Sequence, residues 1–263
     1  MDCLIYIKDR VIFNPVKFGM SNVQQAISTT LLPASCSSCN LAELCLPVDL
    51  NRDEMRQLDA LSHLKRSIHK GDYVYRCGDR FKSLYAIRSG SFKTQVLHED
   101  GHEQVTGFQM QGEIIGMDAI SSDTHMCDAI AMENSETCEL PFNQLEKLSR
   151  EIPSLQRHLH KIMSREIVRD QGIMLLLGSM RAEQRLAAFL LNLSQRFTAR
   201  GYSSTQFQLC MSRHEIGSYL GLKLETVSRT FSHFQNERLI NVQRRSIAIL
   251  NLPGLKSCLH NSR

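Results

Sequence analysis

The stretch that most constrains this chain is MSRHEIGSYLGLKLETVSRTFSHFQNERLINVQRRSIAILN, residues 211–251. Ser212 is suited to cap a short helix that runs through Leu220. Gly221 breaks that helix, and a second begins near Leu224. Two helices joined by a short glycine-containing turn form a helix-turn-helix signature. At 100° per residue, Val227, Phe231 and Phe234 fall on one side of the second helix and must pack inward. Glu225, Ser228, Arg229 and Ser232 fall on the opposite side. An ordinary solvated face would be long and charged, whereas this one is short and polar with a single arginine. Arginine pairs bidentately with guanine, glutamate accepts from cytosine N4, and serine serves several partners. LINVQRRSIAILNL then alternates like a hairpin with Arg244 and Arg245 at its tip. That predicts a wing, with arginines placed for phosphate contact.

Charge supports the same reading. The net charge is +4, but residues 181–263 hold 12 Lys and Arg against 4 Asp and Glu, a balance of +8. The first 180 residues carry a balance of −4. A basic third on a mildly acidic body suggests a nucleic-acid-binding module joined to something else.

The remainder of the 263 residues leaves room for a second domain. Residues 1–35 show no sustained period and read as a loose arm. LNRDEMRQLDALSHLKRSI, about 50–68, reads as a helix with Leu50, Leu58, Leu61 and Leu64 in a stripe. Over about 70–140 short β-rich runs alternate with glycine turns, and Asp100-Gly101 marks a hairpin. Such a pattern predicts a small barrel or jelly roll. A long helix follows Pro153. His160, Met163, Ile167, Asp170, Met174 and Leu177 recur along it at alternating spacings of 3 and 4, a heptad seam. A seam wants a partner helix, or else a face of its own domain. In a parallel two-fold dimer Asp170 would face its own copy, which is costly in a desolvated seam. Residues 181–196 read as another amphipathic helix.

Nine cysteines cannot all pair internally, and Cys36, Cys39 and Cys45 crowd one short stretch, SCSSCNLAELC. MDCLIYIKDRVIF is too broken by charge to be a signal peptide, and no apolar run approaches the ~18 residues of a membrane span. Met20, which opens MSNVQQ, is a second candidate start that would make residues 1–19 dispensable. The expected compartment is the reducing cytoplasm, where clustered thiols are metal ligands or redox groups more often than disulfides. There is no P-loop, no G-x-G-x-x-G after a strand, no G-x-S-x-G and no H-E-x-x-H, so an enzyme is not expected.

KSLYAIRSG, EQVTGF, CELPF, QRLAAFLLNLSQRF and YLGLKLETVSRTFSHFQ resemble the CRP/FNR superfamily of bacterial transcription regulators, and specifically its oxygen-sensing FNR branch. The resemblance runs from about residue 36 to 255. It implies an α+β chain with a cyclic-nucleotide-binding-like β-roll (jelly roll), a long dimerisation helix and a C-terminal winged helix-turn-helix. The expected division is an arm over 1–50, a sensor roll over 51–152, the dimerisation helix over 153–180 and the DNA-binding domain over 181–263. The resemblance further implies a [4Fe–4S] cluster held by Cys36, Cys39 and Cys45, whose spacing matches the family, and by Cys138 in CELPF. Cys127 competes for the fourth place. Cys3, Cys77, Cys210 and Cys258 lie in no motif and read as buried or incidental thiols. Four cysteine thiolates equally suit zinc, so a zinc- or thiol-redox-responsive regulator is the alternative.

By the same resemblance, the cluster promotes homodimerisation and binding to a palindromic TTGAT-type site, and oxidative loss of the cluster switches the protein off. Double-stranded DNA, a second copy of the chain and RNA polymerase are the implied partners, with no membrane. Cyclic AMP is not expected: Cys127 stands where a cyclic-nucleotide receptor places its phosphate-pairing arginine, and no arginine lies between Arg88 and Arg150.

Overall fold

The computed structural model describes residues 36–41, 44–46, 49–61, 64–97 and 101–260. The loose-arm reading of 1–35, Cys3, the alternative start at Met20 and Asp100 of the hairpin turn lie outside them. Helix α1 (Arg52–Leu61) is followed by strand β1 (Leu64–Ile68), β2 (Tyr73–Tyr75), β3 (Ser83–Ser89) and β4 (Ser91–Leu97). Then come β5 (Glu103–Met110), β6 (Ile114–Ile115), β7 (Asp128–Ala131) and β8 (Ser135–Pro141). Two four-stranded sheets result, ordered β1-β8-β3-β6 and β2-β7-β4-β5. Ile68, Ile87 and Ile115 from the first meet Val74, Phe92 and Ala129 from the second in one buried layer. This is a β-roll.

One sequence expectation is corrected here. The helix read over 50–68 stops at Leu61, and LKRSI is a strand. Spacing alone allowed the helix to continue. Antiparallel pairing of Leu64 through Ile68 with Glu139 through Ser135 decides otherwise, because it satisfies the backbone of a segment that also buries Ile68.

Helix α2 (Phe142–Glu151) leads into α3 (Pro153–Ser179), with proline in the first turn, where a missing N–H costs nothing. At 27 residues α3 is about 40 Å long. Then follow α4 (Ala182–Ala199), β9 (Gln206–Gln208), α5 (Arg213–Leu220), α6 (Leu224–Asn236), β10 (Ile240–Gln243), β11 (Ser246–Ile249) and α7 (Leu252–Ser257). Ser212 caps α5 in a reciprocal box with Glu215, and Gly221 ends it in the left-handed conformation at φ 61°. The sheet β10-β11-β9 supplies the wing. No helix among the described residues is long and apolar enough to cross a membrane.

The winged helix is packed onto the roll. Val105, Phe108 and Met110 of β5 join the core that holds Leu190, Ile216 and Phe234. Ser218 Oγ accepts the Val105 N–H at 2.8 Å and donates to the Glu103 carbonyl at 3.1 Å, so α5 covers an edge strand. Lys93 reaches Glu215 at 3.0 Å. The Glu113 carboxylate takes both Arg196 and Arg200 at 2.6 Å. Burial works to raise the Glu113 carboxyl, but the two guanidiniums outweigh it and hold it below the ordinary carboxylate range.

Candidate nucleic-acid interface and thiol cluster

Helix α6 presents the predicted faces. Val227, Phe231 and Phe234 are buried, whereas Glu225, Ser228, Arg229 and Ser232 are exposed. Arg229 Nε lies 3.4 Å from the Glu225 carbonyl, and Ser232 Oγ donates to the Ser228 carbonyl at 3.1 Å. These short polar groups are therefore held against their own helix, leaving an open, shallow face. Arg244 and Arg245 form the tip between β10 and β11, both exposed. Arg244 sits at φ 57°, where glycine would be relaxed, so the tip holds a cation at some cost in backbone strain.

Sequence reasoning missed Arg213. Its guanidinium lies 3.2 Å over the Phe231 ring. Burial draws its pKa down to about 10, and Nη1 has no partner among the described residues. The contact ties the first turn of α5 to the packed side of α6 across the helix-turn-helix. No spacing rule announces such a pair.

Cys36 and Cys45 of the arm border the same apolar cluster as Cys138. A short 3₁₀ turn, Cys36–Ser38, is pinned by Asp59 of α1, whose Oδ1 accepts the N–H groups of Cys36 and Ser37. Cys36, Cys45 and Cys138 pack against one apolar cluster around Leu46, Leu58 and Leu140. Desolvation pushes the Cys45 thiol up to about 12, and Cys36, Cys138 and Cys39 add to the rise. Burial likewise raises Cys138, with Arg88 opposing it and Cys39 adding to it. Among the described residues no group of three or more Cys, His, Asp or Glu side chains is in place around a single metal ion.

Cys127 lies elsewhere, in the layer between the sheets. Burial, together with Asp118, pushes its thiol to about 12. Of the cysteines without a motif, Cys77 is exposed rather than buried, and Cys210 and Cys258 are half-buried.

Beside Cys127 is a cavity of about 330 Å³, whose walls include Thr94, Gln109, Asp118, Glu166, Arg169 and Asp170. Arg169 is paired with Glu166. Burial raises the Glu166 carboxyl, Arg169 opposes the rise, and Glu113 and Asp170 add to it.

On α3, His160, Met163, Ile167, Asp170 and Met174 are exposed. Leu177 is not available in the same way: it is half-buried in the winged-helix core and lies 3.3 Å from where a side chain on Gly221 would begin. Val168 at 63% and Leu175 at 63% exposure were not in the predicted seam. Around the helix they fall about 80–100° to one side of Ile167, while Asp170 and Leu177 fall about 60–80° to the other. The open apolar arc is therefore centred nearer Ile167 than the heptad suggests, with Asp170 on its edge beside the cavity.

Residues 184–258 match the family model of the Crp-like helix-turn-helix domain, and residues 65–151 match that of the cyclic nucleotide-binding domain. The chain is 46% identical over 226 residues to the transcriptional regulatory protein btr of Bordetella pertussis, covering 86% of this chain and 93% of that one. It is 47% identical over 218 residues to the transcriptional activator protein Anr of Pseudomonas protegens, covering 83% and 89%. It is 44% identical over 228 residues to the fumarate and nitrate reduction regulatory protein of Yersinia pestis, covering 87% and 91%. Among solved structures, FixK2 from Bradyrhizobium japonicum superposes with a TM-score of 0.70 at 27% identity, covering 76% of this chain and 98% of that one.

Proposed function

The chain belongs to the FNR-type branch of the CRP/FNR transcription regulators, and on that premise we propose that it is an oxygen-responsive global regulator switched by a [4Fe–4S] cluster. It is a transcription regulator with a DNA-binding helix-turn-helix domain, not an enzyme. The observation that supports the cluster reading is that Cys36, Cys45 and Cys138 border one apolar cluster, with Cys39 three residues from Cys36 on the same arm. The Cys45 thiol, pushed up to about 12 by burial, is a poor anion by itself, and a cationic iron centre would make a thiolate of it. When bound, the cluster supplies oxidant-labile thiolate–iron links between arm and roll.

Cys36, Cys39 and Cys45 would hold the cluster from the arm side and Cys138 from the roll side, so that without it the arm would be free to leave the roll. The dimer forms through α3, and its two copies of α6 read a TTGAT-type palindrome with Glu225, Ser228 and Arg229, while Ser232 completes the face. RNA polymerase is the expected partner of the bound dimer, in keeping with a relative named as an activator. Among the described residues that line the cavity beside Cys127, Arg169 is paired with Glu166 and Asp118, Glu166 and Asp170 are carboxyl groups, which supports the expectation that cyclic AMP is not the signal.

The test is iron and sulfide content, visible absorbance and salt-controlled DNA affinity, compared between anaerobic and air-exposed protein. Iron and sulfide in near-equal amounts, with binding lost in air, are expected. Zinc without sulfide selects the zinc-responsive alternative. Cys36→Ala, Cys39→Ala, Cys45→Ala and Cys138→Ala should each abolish the chromophore, and Cys127→Ala should keep it. A chromophore lost in Cys127→Ala and kept in Cys138→Ala reverses the fourth-ligand assignment.

A further inference from the structure

Helix α3 is buried at Leu155, His158 and Ile162 near its start and at Leu176 near its end, with no buried residue between Ile162 and Leu176. The far end of the helix is anchored where it meets the DNA-binding domain. Arg185 stands at that junction, near the start of α4. Its Nε donates to the Met180 carbonyl at 2.8 Å, and its Nη2 donates to the Leu177 carbonyl at 2.7 Å. Its Nη1 donates to the carbonyl of Leu220, the last residue of α5, at 2.9 Å. One guanidinium on a third helix thus closes the C-terminal ends of two others. Carbonyls at a helix end have no partner in their own helix, and a cation there also meets the negative end of the helix dipole.

The three bonds leave from three different nitrogens of one rigid plane, a spread that the single nitrogen of a lysine cannot reproduce. Gly221 fits closely against this fork, since a side chain there would begin 3.3 Å from Arg185 Nη1. We infer that Arg185 is the positioning residue that sets the angle between α3 and the α5–α6 pair, and so sets the separation of half-sites that a dimer accepts. The inference rests on the proposed reading of α3 as the dimer contact and of α6 as the base reader. In a two-fold dimer any change at this junction occurs twice, once in each protomer. One added base pair moves a half-site by about 3.4 Å and turns it by roughly 35°. A fixed junction rejects that change, whereas a loose one follows it but must be ordered on binding. Ser218 and Glu215 tie α5 to the roll, so the domain stays attached when Arg185 is replaced, and what is released is its link with α3.

The experiment uses the full chain without oxygen and reads fluorescence anisotropy at one salt concentration. The DNAs are an inverted repeat of TTGAT at the separation the parent prefers, the same repeat lengthened or shortened by one base pair, and a single half-site. Sedimentation without DNA gives the dimer constant. Arg185→Lys keeps the charge and loses the fork, and Arg185→Gln removes the charge as well. Both variants should bind the preferred repeat about 10- to 100-fold more weakly, and the ratio between the preferred and the lengthened repeat should shrink at least about 5-fold. The single half-site and the dimer constant should stay near the parent's. A spacing ratio equal to the parent's in both variants overturns the inference. A loss shared equally by every spacing and by the single half-site overturns it too, because Arg185 would then serve only the fold. So does a dimer constant weakened as much as the DNA affinity, which would place Arg185 in the service of the seam. A parent that prefers no separation of the inverted repeat is a different failure: it overturns the palindrome reading and takes this inference with it.

Discussion

Arg229 and Arg244, both proposed to contact DNA, carry the same charge on different supports. Arg229 stands on a packed helix whose far side is fixed by Val227 and Phe231, a support suited to the proposed reading of one base. Arg229→Ala should cost ~1–3 kcal/mol on the specific site and little on random DNA. Arg244 and Arg245 stand on an exposed two-residue tip, suited to a phosphate rather than a base edge. Arg244→Ala or Arg245→Ala should weaken all sequences alike and lower the salt slope by about one unit each. Fluorescence anisotropy on both DNAs over a salt series separates the two, and equal loss on both for Arg229→Ala would remove it from base reading. The outward face was legible in the sequence because a 3.6-residue period leaves the polar set only one side once the apolar set is buried. Arg213 over Phe231 was not, since 18 positions and a turn separate the partners.

At the scale of elements, α5, α6 and the wing were legible from Ser212, Gly221 and strict alternation, which are local signals. The strand β1 was not, because Leu61 and Leu64 satisfy a helical spacing and only a partner some 70 residues later decides for the sheet. Helix α3 was legible as a helix, but its open arc was displaced. Leu177 fits the heptad, yet it is drawn into the core of the following domain, whereas Val168 and Leu175 widen the arc on the other side. Ile167 stands within the arc at 59% exposure. A glutamate there would bring two carboxylates into the seam, so Ile167→Glu should weaken the anaerobic dimer by ~2–3 kcal/mol, roughly 30- to 150-fold. Asp170 already places a carboxylate at the arc's edge, beside the half-buried Glu166. Asp170→Ala should dimerise in air where the parent does not. Sedimentation at one protein concentration decides both, and an air-exposed Asp170→Ala as monomeric as its parent would show that this carboxylate does not restrain the dimer.

Across the whole molecule, Glu113 joins the two domains through residues more than 80 positions away, a pairing no local pattern discloses. Removing it would leave Arg196 and Arg200 facing each other with little solvent. Glu113→Ala should therefore cost about 3–5 kcal/mol and lower the melting temperature by roughly 6–20 °C. Because the folded-state pKa of Glu113 lies below its ordinary value, its contribution is complete above the usual carboxylate range and is lost as pH falls through the lowered value. The gap between parent and variant should thus persist at neutral pH and close only in acid. A gap already closed near pH 6 would count against the pairing. The interior around Phe108, Leu190 and Phe234 has a consequence of its own. Strand β5 supplies part of the interior of the DNA-reading domain, so neither domain can melt without exposing apolar surface on the other. Calorimetry should record one heat-absorption peak whose van't Hoff and calorimetric enthalpies agree, rather than two. The roll and the DNA-binding domain then share a single melting point.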